Sequence, residues 1–394
     1  MKYRLLDLLR CPNCGGVLRL TSFRSEATSA VIPDFDAPRC EIHCARHDAT
    51  PRQVDAQACR DCYRTEITEG KLACTCGETY PIVGGIPRML PRELRDESLA
   101  TYHREFLATH GEHFPSAQAT FGGNAQKVAT LHAFSYQWTT FTRNFEYFRE
   151  IFLGFVRPFL EPKDFQGKVV LEVGCGSGRP ASVAASFGAE VVGMDLSEAV
   201  QTAHSMTQHY PLMHVVQADA YAPPFRPGFD FVYSVGVLQH IPNPYEAVKR
   251  ISSVVQPGHR FVIWVYGVRE FWYQPIDWLR RLTVHMPFRM LHALSYVLAV
   301  VSEIFLLIPY RILSRLPVTR RLAERIPGRI YARFPFKENV LGWFDRLGAP
   351  VTCYFSKPDV QRLLSDAGFE DIRIVSRPDA SASWVAEGIK QTSP

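Results

Sequence analysis

The stretch LEVGCGSGR, residues 171–179, has a glycine at every second position from Gly174 to Gly178, directly after a run of strand-forming residues. Glycine lets the backbone turn sharply and approach a ligand closely. A dinucleotide-binding turn follows the pattern G-x-G-x-x-G, whereas Arg179 stands here at the third glycine position. A phosphate-binding loop would end in Gly-Lys-Ser or Gly-Lys-Thr, which is absent. The turn therefore predicts a ligand other than a pyrophosphate.

The residues around this turn predict a strand, a helix and a second strand. The apolar run 168–173 is typical of a buried parallel strand, and residues 180–187 have helical composition. Gly188 suits the end of that helix, and a second apolar run closes at Asp195. In such a unit the ligand lies at the carboxyl ends of the strands.

The glycine turn resembles the first motif of class I S-adenosylmethionine-dependent methyltransferases. Further segments continue this resemblance in family order: VVQADA, FDFVYSVGVLQHIPNP, VVQPGHRFVIWVYG and YFSKPDVQRLLSDAGFEDIRIV. The resemblance covers roughly residues 165–266 and 351–389. It implies an α/β fold with a Rossmann-like sheet of strand order 3-2-1-4-5-7-6.

The resemblance also implies how S-adenosylmethionine would be bound. Asp195 would accept from both ribose hydroxyls, and Asp219 would meet the adenine amino group. Glu172 would serve the ammonium of the methionine end, directly or through water, while backbone N–H groups of the turn would face the methionine carboxylate. The full predicted cofactor-binding set is Glu172, Gly174, Cys175, Gly176, Gly178, Asp195, Leu196, Asp219, Ala220 and Ser234.

Two residues are candidates for the chemistry of methyl transfer. His240 follows the fourth strand and is the best-placed general base by sequence. Its alternative role is structural, since family members often carry a histidine there whatever their acceptor. Tyr266, at the end of the fifth strand, faces the same region and is the weaker candidate.

The N-terminal region carries cysteines at metal-ligand spacing. Four thiolates suit a closed structural zinc site, and the two pairs that predict one are Cys11, Cys14, Cys74 and Cys76. These segments resemble a small zinc-ribbon family that includes activator subunits of certain tRNA and translation-factor methyltransferases. A second site is predicted from Cys40, Cys44, Cys59 and Cys62, with His43 or His47 as substitutes. The alternatives for this second set are a mixed ligand set or free thiols.

The order of these motifs predicts five segments. They are a zinc-ribbon region 1–95, a helical cap 96–165, a methyltransferase core 166–266, a helical lid insertion 267–352 and the end of the core 353–394. Tyr136 and Trp138 of the cap either cover the cofactor or pack as ordinary core residues. Ten cysteines and an N-terminus without an uninterrupted apolar run favour a cytoplasmic location.

The lid insertion contains MLHALSYVLAVVSEIFLLI, residues 290–308, which approaches the length of a membrane span. A buried or membrane-surface helix is the preferred interpretation, because a spanning helix would pull the lid away from the active site. Between residues 280 and 333 lie ten arginines and two acids, Glu303 and Glu324. This excess suits an anionic lipid surface or an anionic acceptor, or forms only a solvated basic face.

Three functions are compatible with these motifs. The first is methylation, by preference at oxygen, of a small-molecule or lipid-like acceptor, because VLQHIPNP resembles small-molecule and quinone methyltransferases. The second is methylation of RNA or of a translation protein, as the zinc ribbon suggests, although a net charge of +5 is too weak to indicate nucleic acid. The third is a non-catalytic cofactor-binding scaffold.

Overall fold

The computed structural model of the chain describes residues 1–115, 125–141, 148–268, 274–324, 326, 329–377 and 383–392. Parts of the predicted cap, lid and C-terminal segments lie outside these residues, including the aromatic stretch 142–147. The five predicted segment boundaries stay predictions.

The N-terminal region is built on a four-stranded antiparallel sheet in the order β1-β2-β3-β4. Its strands and helices are α1 (Tyr3–Leu8), β1 (Leu18–Ala27), α2 (Ala56–Tyr63), β2 (Thr65–Cys74), β3 (Thr79–Val83) and β4 (Ile86–Pro87). Cys74 ends β2, and Cys76 lies in the short turn that leads to β3. A helical cap follows, with α3 (Arg92–Tyr102), α4 (Arg104–His110), α5 (Ala125–Thr140) and α6 (Phe148–Val156).

The core is a seven-stranded sheet whose order confirms the predicted 3-2-1-4-5-7-6 arrangement. Its strands are β5 (Val169–Val173), β6 (Glu190–Asp195), β7 (Met213–Gln217), β8 (Phe229–Val235), β9 (Val255–Tyr266), β10 (Phe369–Ser376) and β11 (Ser383–Lys390). The strands from β5 to β9 pair in parallel, and β11 runs antiparallel between β9 and β10. Central strands β5 and β6 are apolar and buried, as parallel strands covered on both faces require.

Helices cover both faces of this sheet: α7 (Pro162–Phe165), α8 (Arg179–Ser186), α9 (Val200–Ser205), α10 (Pro244–Ile251) and α16 (Lys357–Ser365). Their starts follow local capping rules. Asn243 caps α10, and Ser356 and Asp359 form a capping box at α16.

The insertion between β9 and α16 is helical. It comprises α11 (Gln274–Thr283), α12 (Phe288–Ser302), a π-helical turn Glu303–Leu307, α13 (Ile308–Leu313), α14 (Arg320–Ala323) and α15 (Phe336–Gly348). Helix α15 lies against α5, α11 and α12. The continuous helix Phe288–Leu313 has the length and apolar composition of a membrane-crossing helix, and 28% of its most apolar window is buried.

The N-terminal region covers the β7 edge of the core sheet. Arg88 pairs in parallel with Gln217, and the N–H of Met89 donates to the Gln217 carbonyl at 2.8 Å. The Arg88 guanidinium also binds Glu198 at 2.8 Å inside the protein. The exposed edge of the sheet is therefore closed by the chain's own N-terminal region.

Candidate functional site

A cavity of about 340 Å³ opens at the carboxyl ends of the parallel strands. Its volume lies in the range of small-molecule sites. The predicted residues that line it are Gly174, Cys175, Gly176, Asp195, Leu196, Asp219, Ala220, His240 and Tyr266. The structure thus brings nine of the twelve predicted binding and catalytic residues into one site.

The glycine turn needs its glycines for close approach. Gly174 has φ 80°, and a Cβ there would lie 2.2 Å from Val237. Gly176 has φ 50°, and Trp138 of α5 lies against its open face. The N–H groups of the four residues Gly174, Cys175, Gly176 and Gly178 already donate within the protein. These four N–H groups therefore have acceptors inside the protein, and the prediction that N–H groups of the turn face the cofactor's carboxylate stays a prediction.

Asp195 ends β6 at the wall of the cavity. Its Oδ1 accepts from the N–H and hydroxyl of Ser197 at 2.9 and 2.7 Å, and its Oδ2 accepts from the Gly176 N–H at 2.8 Å. Burial raises the pKa of Asp195, and these three hydrogen bonds oppose that rise. A carboxylate has about four acceptor positions, so about one remains for a ligand hydroxyl.

Asp219 lies after β7 and binds a partner, Lys127, that was not predicted from the sequence. Its Oδ2 accepts from Lys127 Nζ of α5 at 2.6 Å, and its Oδ1 accepts from the Tyr221 N–H at 3.0 Å. Cys175 lines the cavity but is buried, and burial raises the pKa of its thiol well above the ordinary value. Its burial favours a packing role over a reactive one.

Three predicted cofactor residues do not line the cavity. Glu172 is fully buried on β5, where its Oε2 accepts from Tyr233 at 3.4 Å. Burial raises its pKa well above the ordinary value, and its predicted role at the ammonium group stays a prediction. A Cβ on Gly178 would meet Ala203 of α9 at 2.9 Å, so this glycine permits helix packing. Ser234 donates to the Val173 carbonyl within the sheet.

His240 and Tyr266 face the same cavity from neighbouring strand ends. The Nδ1 of His240 lies 2.9 Å from the carbonyl oxygen of Val351. A carbonyl only accepts, so Nδ1 carries the proton of the neutral ring and Nε2 carries the lone pair. The Tyr266 ring packs edge-on against His240 at 5.6 Å. This arrangement gives His240 a fixed orientation and a basic nitrogen.

Helix α15 of the insertion adds acids that sequence reasoning missed. Asp345 accepts from the Tyr266 hydroxyl at 3.2 Å and from Gln137 at 3.0 Å. Glu338 pairs with Arg179, which follows the glycine turn, at 3.2 Å. Both acids line the cavity. Glu338 and Asp345 are seven residues apart, which puts them on one helix face. This spacing is the feature of the sequence that could have predicted them as site residues.

The two cap aromatics have different environments. Trp138 lines the cavity beside the glycine turn, which agrees with a covering role. Tyr136 instead packs between Phe288 and Phe344 of the insertion, with ring centroids at 5.1 and 5.6 Å. Tyr136 is therefore a packing residue that fastens the lid to the cap.

The first cysteine set assembles as predicted. The sulfur atoms of Cys11, Cys14, Cys74 and Cys76 all lie within 4.8 Å of one another. Cys11 and Cys76 are 3.7 Å apart, and Cys14 and Cys74 are 3.4 Å apart. Four sulfurs at about 2.3 Å from a zinc ion would be about 3.8 Å apart. The donor set fits a tetrahedral structural zinc.

The second cysteine set does not form a comparable group among the residues that the structure describes. Cys40, Cys44, Cys59 and Cys62 are all buried, and burial raises the thiol pKa of Cys40, Cys59 and Cys62. Cys44 has its sulfur 3.1 Å from Nδ1 of His47. These four thiols lie in one region of the protein, but they do not all lie close enough together to bind one metal ion. A second zinc ion remains a prediction.

Freshly purified protein is expected to hold one zinc ion bound by the first set. Replacing Cys74 with serine removes a buried thiolate ligand, so zinc content should fall towards zero and the N-terminal region should lose stability. Cys353→Ser, outside both sets, is the matched control. Metal analysis that finds full zinc in Cys74→Ser would contradict this site, and two equivalents in the unmodified protein would support the second.

Family models match two separate parts of the chain. One described as a methyltransferase domain matches residues 171–263, and one described as a Trm112p-like protein matches residues 2–85. Among solved structures, a chain of the complex containing the Haloferax volcanii Trm112 methyltransferase activator is 13% identical. It covers 67% of this chain and 97% of that chain with a TM-score of 0.39, too distant to support an inference.

Curated relatives include ubiquinone biosynthesis O-methyltransferases. That of Photorhabdus laumondii subsp. laumondii is 32% identical over 27% of this chain and 46% of its own length. That of Chromobacterium violaceum is 36% identical over 23% of this chain and 41% of its own length. The chain thus spans less than half the length of these two relatives. Residues 171–263 are a methyltransferase domain, and residues 2–85 are a Trm112p-like domain in the same chain.

Proposed function

We propose that this chain transfers a methyl group from S-adenosylmethionine to an oxygen atom of a small, largely apolar acceptor. The observation that carries the proposal is the shared cavity, where the cofactor-motif residues Asp195 and Asp219 meet His240, Tyr266 and the insertion. The similarity to ubiquinone biosynthesis O-methyltransferases supports the same reaction class.

The residues present fit this cofactor. The cavity volume, the glycines that leave room at the turn and the remaining acceptor position on Asp195 are all compatible with an adenosyl ligand. When bound, S-adenosylmethionine supplies an electrophilic methyl group with a neutral leaving group. The chain then has to hold the acceptor in line and remove its proton.

The cavity wall favours an apolar, flat acceptor. Its Phe, Trp and Tyr residues are Phe134, Trp138, Phe148, Phe155, Tyr221, Trp264, Tyr266, Tyr331 and Phe334. A hydroxyl group among these rings would find Nε2 of His240 as a proton acceptor. Asp345 holds Tyr266 through a hydrogen bond, so the phenol and the carboxylate form a polar edge that can orient the acceptor.

The Trm112p-like match favours a second candidate, methylation of RNA or of a translation protein. Against it, this domain is already engaged with its own core, where Arg4 and Arg39 bind the buried Glu190. That contact supports an internal structural role for the domain. The scaffold alternative is disfavoured because the site retains a candidate base as well as the cofactor residues.

Titration with S-adenosylmethionine tests the cofactor assignment. Asp195→Ala removes an acceptor from the cavity wall, so affinity should fall by about 5- to 150-fold, which corresponds to about 1–3 kcal/mol. Asp366→Ala, an exposed acid after α16, should bind as the unmodified protein does. Equal affinity of a folded Asp195→Ala variant would refute the assignment.

A further inference from the structure

The insertion carries a concentration of exposed apolar side chains. Of the 20 large apolar residues exposed in the described parts of the chain, 15 lie between residues 268 and 322. They are Val268, Trp278, Leu282, Met290, Tyr296, Val297, Val300, Val301, Ile304, Phe305, Ile308, Ile312, Leu316, Val318 and Leu322. Scattered exposed apolar residues are normal, but a cluster of this kind marks an interaction surface.

The helix Phe288–Leu313 buries a mixed stripe of polar and apolar residues and exposes mainly apolar ones. Its buried stripe includes Ser295 and Ser302, and the Ser302 hydroxyl accepts from Asn339 and Trp343 of α15, at 3.1 Å each. Its outward side presents Ile304 and Phe305, which are 52% and 70% exposed. An amphipathic helix in water exposes a polar face instead. The outward face is therefore suited to an apolar medium.

The charges near this face are mainly positive. Exposed arginines flank it at 281, 289, 315, 320 and 321. The two local acids are engaged, Glu303 with Arg311 and Glu324 with Arg320 at 3.8 Å. An apolar face bordered by arginines is complementary to a bilayer with anionic headgroups. The headgroups attract the arginines, and the acyl region just below the headgroups takes up the apolar side chains.

The same helix is not free to span a bilayer as it stands. One side of it packs on α15, and the other side of α15 contributes Glu338, Leu341 and Asp345 to the cavity wall. A spanning orientation would carry these acids and the Glu303–Arg311 pair towards the hydrocarbon, which is costly. If the helix instead lies parallel to the bilayer surface, its packing on α15 and the Glu303–Arg311 pair are both kept.

We propose that the apolar face of residues 278–322, here named the lid face, docks on the surface of an anionic phospholipid bilayer. Helix α15 and the segment that carries Tyr331 and Phe334 then lie between the cavity and the membrane, so an apolar acceptor dissolved in the bilayer would be near the site. The docking itself does not depend on the proposed methyl transfer.

Co-sedimentation with vesicles tests this surface. The full chain should bind vesicles containing about one third phosphatidylglycerol in phosphatidylcholine more tightly than pure phosphatidylcholine vesicles. Raising salt from about 0.1 M to about 1 M shortens the Debye length from about 10 to about 3 Å and should weaken this binding. Ile304→Glu combined with Phe305→Glu should lower vesicle affinity at least about tenfold.

Two further variants make the outcome specific. Val31→Glu with Ile42→Glu changes exposed apolar residues outside the lid face and should bind vesicles normally. Arg320→Gln with Arg321→Gln should cost about fivefold per arginine on anionic vesicles only. All variants should retain zinc and affinity for S-adenosylmethionine, which separates this surface from the proposed function.

Three results would overturn the proposal. The first is a protein that stays in the supernatant with every vesicle. The second is equal vesicle binding by the Ile304/Phe305 variant. The third is a dimer, dissociated by the Ile304/Phe305 substitutions and unaffected by vesicles, because a second copy would then cover the lid face.

Discussion

Replacing Arg4 with methionine is expected to lower the free energy of unfolding by about 3–5 kcal/mol, because the change leaves a buried carboxylate short of its partner. That carboxylate is Glu190 at the start of β6, which is fully buried. It accepts from Arg4 Nε at 3.0 Å, from Arg39 Nη2 at 2.6 Å and from the Tyr63 hydroxyl at 2.9 Å. These donors come from the Trm112p-like domain, so the cluster joins that domain to the methyltransferase core.

Urea unfolding in the presence of zinc measures this effect. The control is Arg362→Met, which breaks an exposed pair with Asp359 and should leave the unfolding midpoint nearly unchanged. If Arg4→Met unfolds at the same urea concentration as this control, the Glu190 cluster does not hold the two domains together.

The pH dependence gives a second readout of the same cluster. Burial alone would raise the pKa of Glu190, but Arg4, His214 and Arg39 outweigh it and hold that pKa well below its ordinary value. A carboxylate with a lowered folded-state pKa stabilises fully above its unfolded pKa of about 4.3 and loses that contribution as pH falls. The difference between the unmodified protein and Arg4→Met should therefore shrink as the solution is acidified below about pH 4.

Replacing His240 with glutamine is expected to lower kcat by about 10²- to 10⁴-fold, the usual contribution of a general base. Glutamine can still donate to the Val351 carbonyl, but it has no nitrogen lone pair with which to take a proton. Affinity for S-adenosylmethionine should stay nearly unchanged, because the expected loss is in the chemical step.

The matched control for this variant is His259→Gln. The Nδ1 of His259 also lies 2.9 Å from a carbonyl oxygen, that of Asp230, but His259 does not line the cavity. An unchanged kcat in His240→Gln would assign this residue the structural role that its position after the fourth strand also allows.

The sheet could be predicted from the sequence because its determinants are local. Each apolar strand and its following turn occur in order, and parallel pairing then puts Asp195 and Asp219 at one edge. The thiols of the first zinc site were predictable for the same reason, since each pair lies at one turn. The order of the strands needed the family resemblance, because composition does not specify which strands become neighbours.

The rest of the site could not be predicted because it depends on packing between distant segments. Lys127 reaches Asp219 across 92 residues, and Asp345 reaches Gln137 across 208. A glycine in this pattern can leave room either for a ligand or for a neighbouring helix, and the pattern does not distinguish the two. Gly178 was therefore predicted to contact the cofactor, whereas in the structure it leaves room for Ala203 of α9. The spacing of residues along the sequence likewise predicts neither that Glu172 is buried nor how far apart the thiols of the second cysteine set lie.

Transfer of a labelled methyl group tests the central claim most directly. The full chain, with labelled S-adenosylmethionine, would be offered small hydroxylated aromatics, an apolar metabolite extract, total tRNA and a protein extract in parallel. We expect the label in a small, organic-soluble methyl ether, and we expect it to depend on His240. Label confined to tRNA or protein, with none in any small molecule, would contradict the proposed function.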